Sequence, residues 1–416
     1  MNETTQHAPA RETPLAGKTV AVVHAAWHSC GSYIVNVSQM AAYKRLGARV
    51  LSIAVMDALS PPAPHGPRWE AYIAASGDLP ADRRFFTAAP QSSLVASRLL
   101  LDGWWPLIHG DQASWLAALA ARAPLPQGIG GENIDLVHAN HYFTLPFVER
   151  LRGWAPVVLE TQDIQARQYV LRNRGGFFIP PYATYDDMLK VELDWMRRAD
   201  LSVHLNEEEY RDFQALAPGL RHALIYPAVA PAPLSEGREI VIVASDNYAN
   251  FVSLRWFLTD VLPLAPGVRV KIYGNIDAGL RNRDRTLYEA HRALFAGRVA
   301  NLGAVYANAG CVLLPTVEGH GLSIKAVEAL SSGALLIATT LAFRGMGVDA
   351  GALGNVVVAE DAAGFAASMR EAQARLDSGA APSNAQSDTR RLYDARFSFE
   401  AYARALQDTV VPLVRS

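Results

Sequence analysis

Residues 315–339 have the sequence PTVEGHGLSIKAVEALSSGALLIAT, and this stretch organises our reading of the fold. The apolar run CVLLP at 311–315 predicts a buried parallel strand, and the turn at 318–321 follows it. A helix is predicted from about Leu322, because Leu322, Ala326 and Leu330 recur at helical spacing. Gly333 ends this helix, and residues 334–338 form the next strand. The stretch is therefore a strand–helix–strand unit with two glycines in its first turn.

That turn has the chemistry to hold a negatively charged ligand. Glycines allow close approach of the backbone, and the unpaired N–H groups at a helix start attract anions. Lys325, one turn into the helix, suits a phosphate, and the neighbouring Glu328 can accept hydrogen bonds from a pair of sugar hydroxyls. Two glycines alone equally fit an ordinary turn with a surface Lys–Glu pair.

The wider pattern Gly319-x-Gly321-x3-Lys325-x2-Glu328, closed by Gly333, resembles the donor-site signature of retaining GT-B glycosyltransferases. The closest group is the large family four, which includes many enzymes of bacterial glycan biosynthesis. The resemblance implies that Glu328 binds the ribose of a nucleotide-sugar. It also implies that the loop faces the diphosphate and the sugar; the loop residues are Gly319, His320, Gly321 and Leu322. Glu318 stands where the family often carries a sugar-contacting glutamate, and Lys325 is our candidate for stabilising the leaving group.

Composition limits the class of protein. A chain of 416 residues, half of them hydrophobic, predicts a globular protein with two domains. The net charge of −2 gives no support to nucleic-acid binding. Cys30 and Cys311 fall in separate halves, so neither a disulfide framework nor a cysteine zinc site is expected. This fits a reducing cytoplasm, with the inner face of the membrane as an alternative location.

The first half contains several strand ends that carry polar residues. A strand at 19–24 leads into a turn at 28–32 that includes Gly31, which the resemblance places near the donor diphosphate or the acceptor. A strand at 134–137 leads into His138 and His141, which lack a third metal ligand nearby in sequence. We include His138 and Asp163 among the candidate catalytic residues. Asp163 lies in TQDIQAR, which resembles the family's THD…R stretch.

Residues 93–123 combine tryptophans and leucines with few charges. Such a segment with basic flanks can lie on a membrane interface, although buried core is the more common explanation. We favour core and keep a peripheral membrane contact through 93–123 as the alternative. Residues 1–17 are polar, which predicts a loose tail and no signal peptide.

The second half has a linker at 228–237 and a turn at 245–250. Ser245 and Asn250 of this turn are candidate donor-binding residues, because family members commonly have an asparagine here. Many relatives also carry an arginine and a lysine in this region, which this turn lacks. We therefore expect Lys325 to meet the diphosphate, with Arg255 as the weaker candidate. A short strand is expected at 299–302.

Together these features predict an α/β protein of the GT-B class, with two Rossmann-like doubly wound domains facing across a cleft. The expected parts are a disordered tail (1–17), an acceptor domain (18–230), a donor domain (235–394) and a final helix packing back towards the first domain (395–416). The expected activity is metal-independent, hexosyl-type transfer with retention, from a UDP- or GDP-sugar to a glycan, lipid-linked or protein acceptor. No other cofactor is expected. The alternatives are a sugar-nucleotide epimerase and a non-catalytic partner subunit.

Overall fold

The computed structural model describes residues 13–28, 30–59, 67–153, 155–173, 178–379 and 386–414. Their contacts divide the chain into two compact units. The first comprises the described residues of Met1–Leu205, Asp212–Ile225 and Tyr402–Ser416, and the second comprises those of Asn206–Arg211 and Tyr226–Ala401. Residues 1–12 of the predicted tail lie outside the described residues. Leu15, near the end of that tail, is buried, and its N–H donates to the Leu46 carbonyl.

The first unit is built on a parallel sheet of seven strands in the order β3-β2-β1-β4-β5-β6-β7. The strands are β1 (Thr19–Ala25), β2 (Arg49–Val55), β3 (Arg83–Thr87), β4 (Leu136–Asn140), β5 (Val157–Glu160), β6 (Leu201–His204) and β7 (His222–Leu224). β1, β4 and β5 are buried at every position, as expected for strands covered by helices on both faces. β3 and β7 at the two edges were absent from the sequence prediction.

Helices connect these strands. They are α1 (Gly31–Arg45), α2 (Pro67–Ala75), α3 (Ser93–Leu99), α4 (Trp105–Ile108), α5 (Gln112–Arg122), α6 (Leu145–Leu151), α7 (Gln165–Asn173), α8 (Tyr185–Met196) and α9 (Glu207–Leu216). A π-helical turn, Leu100–Trp104, joins α3 to α4. None of the helices in the described part of the chain is long and apolar enough to cross a membrane.

The second unit has a parallel sheet of six strands in the order β10-β9-β8-β11-β12-β13. The strands are β8 (Glu239–Val243), β9 (Val270–Tyr273), β10 (Phe295–Gly297), β11 (Ala309–Leu314), β12 (Leu335–Ala338) and β13 (Val356–Val358). The helices are α10 (Tyr248–Trp256), α11 (Ile276–Arg283), α12 (Arg285–His291), α13 (Leu302–Asn308), α14 (Ile324–Ser332), α15 (Ala362–Asp377), α16 (Asp388–Arg396) and α17 (Phe399–Val410). The strand expected at 299–302 is wrong, because β10 lies earlier and α13 begins at Leu302.

Both sheets have a point where the strand order reverses, and this positions the candidate sites. β1 pairs with both β2 and β4 in the first unit, and β8 pairs with both β9 and β11 in the second. Successive crossovers from such a central pair run in opposite directions, which leaves a crevice at the carboxyl ends of the two strands. The loops after β1 and β4, and those after β8 and β11, are therefore where ligands are expected.

The segment 93–123 is only partly core, so our preferred interpretation is wrong for much of it. Leu99, Leu116 and Leu119 are buried. Six large apolar side chains are 40–74% exposed and form what we call the apolar strip: Leu94, Leu100, Leu101, Trp104, Trp105 and Ile108. Ile179, itself exposed, donates its N–H to the Ile108 carbonyl over 2.8 Å and extends the same surface.

Candidate functional site

The loop between β11 and α14 has the conformation that its glycines predict. Gly319 has φ +143° and Gly321 has φ +65°, backbone angles that residues with a side chain rarely adopt. Ser323 caps α14 by accepting a hydrogen bond from the Ala326 N–H. The N–H groups of Ile324 and Lys325 begin the helix and have no partner within it. The loop therefore offers backbone donors and the positive end of a helix at the reversal point of the second sheet.

Glu328 lies on α14 with its carboxylate held in place by a buried tyrosine. The hydroxyl of Tyr306, on α13, donates to Glu328 Oε2 over 3.0 Å. Tyr306 is 2% exposed, and burial together with the neighbouring Glu328 raises the pKa of its hydroxyl well above the ordinary value. The tyrosine therefore stays protonated and donating, and it fixes one carboxylate oxygen of Glu328. Sequence reasoning missed Tyr306; a lone tyrosine among small residues in LGAVYAN is the only hint.

Two further predicted residues, Glu318 and Lys325, lie at this loop and at the start of α14. Glu318 Oε1 accepts the N–H of Gly319 over 3.1 Å, so this carboxylate folds back onto its own loop. Lys325 stands in the first turn of α14 and is partly exposed. No hydrogen bond or ion pair of its ammonium group occurs within the described residues. Lys325 can therefore turn its charge towards an anion beside the loop.

Arg344 is a second cation at this loop, and the sequence prediction missed it. It follows β12, the strand next to β11, and its Nη2 donates to the His320 carbonyl over 3.4 Å. A Cβ added at Gly319 would lie 2.8 Å from the same nitrogen. The position of an arginine after a strand adjacent to the Gly-rich turn, in TLAFRG, was the available signal.

The turn after β8 is held by hydrogen bonds within itself, and the helix that follows it contacts the Gly-rich loop. Asn250 Nδ2 donates to the Ser245 carbonyl over 2.8 Å and to its hydroxyl over 3.3 Å. The Val317 N–H donates to the hydroxyl of Ser253 on α10, which ties the Gly-rich loop to this helix. Arg283, from α11, reaches the turn but is paired with Asp246 at 2.5 Å. Arg255 is exposed on α10.

In the first unit, the carboxyl ends of β1 and β4 border a cavity of about 550 Å³. Asp163 lines it, as do Cys30 and Ser32 on either side of the predicted Gly31, which begins α1. His141 also lines it, with its Nε2 3.4 Å from the Ser32 hydroxyl. Burial lowers the pKa of His141 to about 3, so its imidazole is neutral at physiological pH.

His138 does not reach this cavity, which corrects its prediction as a catalytic residue. It is fully buried, with one ring nitrogen 2.7 Å from the Tyr43 hydroxyl and the other 2.9 Å from Gln39 Nε2. Burial lowers the pKa of His138 to about 3. His138 lies within β4 and faces the buried interior, whereas His141 follows the end of β4 with a positive φ of 64° and lines the cavity.

His138 belongs instead to a polar network beneath the cavity. Gln39 Nε2 donates to Glu160 Oε2, and Gln162 Nε2 donates to Glu160 Oε1, both over 2.9 Å. Asn140 joins the network through 2.9 Å and 3.0 Å bonds to Gln39 and Gln162. His141 and Gln162, at the ends of β4 and β5, have positive φ values of 64° and 66°. The network and the hydrogen bond from the His141 N–H to the Glu160 carbonyl therefore hold two unfavourable backbone conformations, of which the one at His141 lies on the cavity wall.

This network makes stability depend on pH. Burial raises the pKa of Glu160 to about 8, so its neutral form stabilises the fold below pH 4.5 and that stabilisation is lost as pH rises through 8. Because the side chain of Glu160→Gln stays neutral, we expect the free energy of unfolding of this variant to rise relative to that of the wild type. The expected rise is about 1.4 kcal/mol per pH unit between pH 5 and 8. Urea unfolding at four pH values measures this difference, and histidine titrations cancel because both proteins share them. Parallel stability curves would contradict the assignment.

Among the described residues, no cluster of three or more His, Cys, Asp or Glu side chains is arranged to hold a metal ion.

Several solved structures share the fold of this chain. UDP-glucose-bound HepE from Anabaena aligns with a TM-score of 0.60 and 14% identity over 95% of this chain and 99% of its own. The pneumococcal O-GlcNAc transferase GtfA, solved with UDP and GlcNAc, aligns with a TM-score of 0.58 and 13% identity over 96% and 99%. Sucrose-phosphate synthase from Thermosynechococcus elongatus aligns with a TM-score of 0.58 and 14% identity over 95% and 99%. The two units therefore have the Rossmann-like domains of the GT-B fold, as predicted.

Part of the second unit also matches a family model by sequence. Residues 237–374, which include the Gly-rich loop and Glu328, match the family model described as glycosyl transferases group 1. No curated protein matches the chain at a significant level. The predicted resemblance to GT-B glycosyltransferases is thus confirmed, by sequence in the second unit and by fold in both.

Proposed function

We propose that this protein is a glycosyltransferase that moves a sugar from a nucleoside-diphosphate donor, bound by the second unit, to an acceptor bound by the first. The observation that carries the proposal is the hydrogen bond from Tyr306, on α13, to Glu328, which lies on α14 together with Lys325, the helix that follows the Gly-rich loop. A carboxylate locked by a buried tyrosine is suited to the two ribose hydroxyls. The helix start and Lys325 are suited to the diphosphate.

In the proposed reaction, the bond between the sugar's anomeric carbon and the diphosphate oxygen breaks, and an acceptor hydroxyl forms the new bond. The departing diphosphate gains negative charge and receives the hydroxyl proton, directly or through solvent. Groups already aimed at that charge lower the barrier without reorganising. Lys325, Arg344 and the first N–H groups of α14 are such groups. Retention of configuration and a hexosyl donor are part of the proposal and follow from the family resemblance.

A thermal-shift screen of UDP-, GDP-, dTDP- and CMP-sugars tests donor binding. HepE and GtfA were both solved in complex with UDP, so UDP-sugars come first. A ligand at 100 times its Kd stabilises the folded state by about 2.7 kcal/mol, which raises the Tm of a protein of this size by several degrees. We expect one donor class to raise the Tm of the wild type, and to raise the Tm of the control variant Arg255→Ala as well. A flat response to all four classes would overturn the proposal.

Two further incubations separate the alternatives. An epimerase converts its donor with no acceptor present, which product analysis of a donor-only incubation detects. A non-catalytic partner subunit gives neither conversion nor transfer, even when a donor binds. We expect transfer only when an acceptor is supplied.

The proposed chemistry is metal-independent, since the leaving-group charge is met by Lys325, Arg344 and a helix start. We expect turnover to persist in excess EDTA, measured as release of nucleoside diphosphate against an untreated control. Loss on chelation with recovery on adding Mg²⁺ or Mn²⁺ would contradict this.

We also propose that the apolar strip rests on a membrane surface. Its two tryptophans and four aliphatic side chains have the composition of an interfacial segment, and the neighbouring Arg98 is exposed and adds a positive charge. A lipid surface suits this combination because tryptophan favours the headgroup region and arginine favours anionic lipid. Asp102 in the same stretch is paired with Arg122. Positive charge therefore prevails at the strip.

Co-sedimentation with phosphatidylglycerol vesicles tests this contact. Replacing Leu101 and Trp105 together by serine should weaken vesicle binding about tenfold or more, since each large apolar side chain contributes a kcal/mol or more when buried. Leu216→Ser, at a leucine 39% exposed elsewhere in the chain, is the matched control. Self-association of the wild type with no vesicle binding would show that a second copy covers the strip instead.

A further inference from the structure

The cavity in the first unit has a lining with a definite chemical character. Besides Tyr169 and two histidines, a tryptophan, three amides and two carboxylates contribute to it, namely Trp27, Gln112, Gln165, Gln168, Asp57 and Asp163. At about 550 Å³ it is within the range of pockets that enclose a small ligand. Aromatic faces pack on the C–H groups of a sugar ring, while planar amides and carboxylates bind its hydroxyls. This lining therefore suits a compound with many hydroxyl groups.

The polar groups of the lining are held in place by each other. The Trp27 indole N–H donates to Asp57 Oδ2 over 3.2 Å, which fixes an aromatic plane next to a carboxylate. The buried Tyr169 hydroxyl donates to Gln165 Oε1 over 3.2 Å, and Gln165 Nε2 donates to the Asp163 carbonyl over 3.5 Å, so both ends of this amide are oriented. The ring of His141 packs edge-on against Trp27, with centroids 5.4 Å apart. The cavity is therefore shaped before any ligand arrives.

Carboxylates outnumber lysines and arginines in the lining. No lysine or arginine occurs among the described residues that line the cavity, whereas Asp57 and Asp163 both line it. Burial keeps His141 neutral, and the exposed His28 is the other histidine of the lining. The start of α1 at Gly31 adds only the partial positive charge of a helix end. A phosphate or carboxylate placed here meets two like charges with no arginine or lysine to pair with, which is costly.

We propose that this cavity binds the acceptor as an uncharged saccharide and discriminates against anionic acceptors such as phosphorylated sugars and uronic acids. That the ligand is an acceptor rests on the proposed glycosyl transfer. That the ligand is an uncharged saccharide rests on the residues that line the cavity. The sequence predicts a glycan, a lipid-linked sugar or a protein as the acceptor. This proposal narrows the acceptor to the sugar end of a neutral glycan.

Saturation-transfer NMR with matched probes tests it on the full-length protein. The probes are the methyl glycosides of glucose, galactose, mannose and N-acetylglucosamine, together with the 6-phosphate and the 6-carboxylate of the glucoside. We expect at least one neutral glycoside to bind, and its charged counterparts to bind about tenfold more weakly or not at all. Asp57→Asn should narrow the gap between neutral and charged probes, because it removes one negative charge while keeping the side chain's shape.

Asp186→Asn is the matched control, since it removes the same charge from an exposed position on α8. It should leave the discrimination unchanged. Equal or tighter binding of the charged probes, binding that Asp57→Asn leaves untouched, or no binding of any probe would each overturn the inference. Donor binding is measured separately by thermal shift. Transfer to an anionic acceptor would therefore reject this inference while the proposed function stands, and a protein that binds no nucleotide-sugar would reject the proposed function.

Discussion

Lys325→Ala is expected to lower glycosyl transfer about 100-fold or more, which is the usual scale for losing one electrostatic contact to a transition state. Helix ends carry roughly half a charge each, which is little against a diphosphate that gains charge as it leaves. Lys325 lies in the first turn of α14, so its ammonium group acts at the same place as the helix start. The loss should appear mainly in kcat, because the contact strengthens as the bond breaks.

Arg255→Ala is the control for this prediction, since Arg255 is exposed on α10. It should change transfer much less. Arg344→Ala tests the second cation at the loop. Because Arg344 contacts the His320 carbonyl, this variant changes the loop as well as the charge. If Arg255→Ala abolishes transfer and Lys325→Ala is nearly silent, the diphosphate lies against the turn at 245–250 and our placement is wrong.

Glu328→Ala is expected to weaken donor binding by about 1.5–3 kcal/mol, the range for hydrogen bonds to a charged group. Because Tyr306 already holds the carboxylate of Glu328, the side chain loses little conformational entropy when the ribose binds. Calorimetry with the donor found in the thermal-shift screen measures the change. The fold should survive, because Glu328 is only partly buried and its apolar neighbours on α14 are untouched.

Tyr306→Phe refines the same prediction. It removes one hydroxyl from a fully buried ring and keeps its packing, so a smaller loss of donor affinity than with Glu328→Ala is expected. If Tyr306 only supports the fold, its variant will have a lower Tm and an unchanged donor Kd. An unchanged donor Kd in folded Glu328→Ala would remove that residue from the site.

The parallel-sheet architecture was predictable because its signals are local. Apolar runs bounded by glycine or polar turns occur at 19–24, 157–160 and 239–244, and each corresponds to a buried strand within a residue or two. Ser323 and Gly333 mark the ends of α14 by capping chemistry, although the helix begins two residues later than predicted. The edge strands β3 and β7 were missed because RRFFT and HAL are short and carry charged or polar residues.

The site was harder to predict because its members meet only in three dimensions. Spacing along α14 placed Lys325 and Glu328 beside the loop, but Tyr306 and Arg344 arrive from α13 and from the segment after β12. Their sequence neighbourhoods offer only a lone tyrosine in LGAVYAN and an arginine after a strand in TLAFRG, and neither signal shows that the two side chains meet at the loop. His138 and His141 illustrate a second limit, since both follow the same apolar run, and only the backbone turn at His141 decides which imidazole reaches the cavity.

That turn also bears on how this protein can be engineered. His141 and Gln162 both have positive φ values without being glycine, a conformation that costs of order 1–3 kcal/mol each. Glycine at either position relieves the backbone strain. The same exchange removes an imidazole from the cavity wall at His141, or the buried amide of Gln162 that donates to Glu160 and Asn140. Relief of strain is therefore offset by lost side-chain contacts, so a glycine substitution that stabilises most left-handed positions is not expected to stabilise this protein at these two.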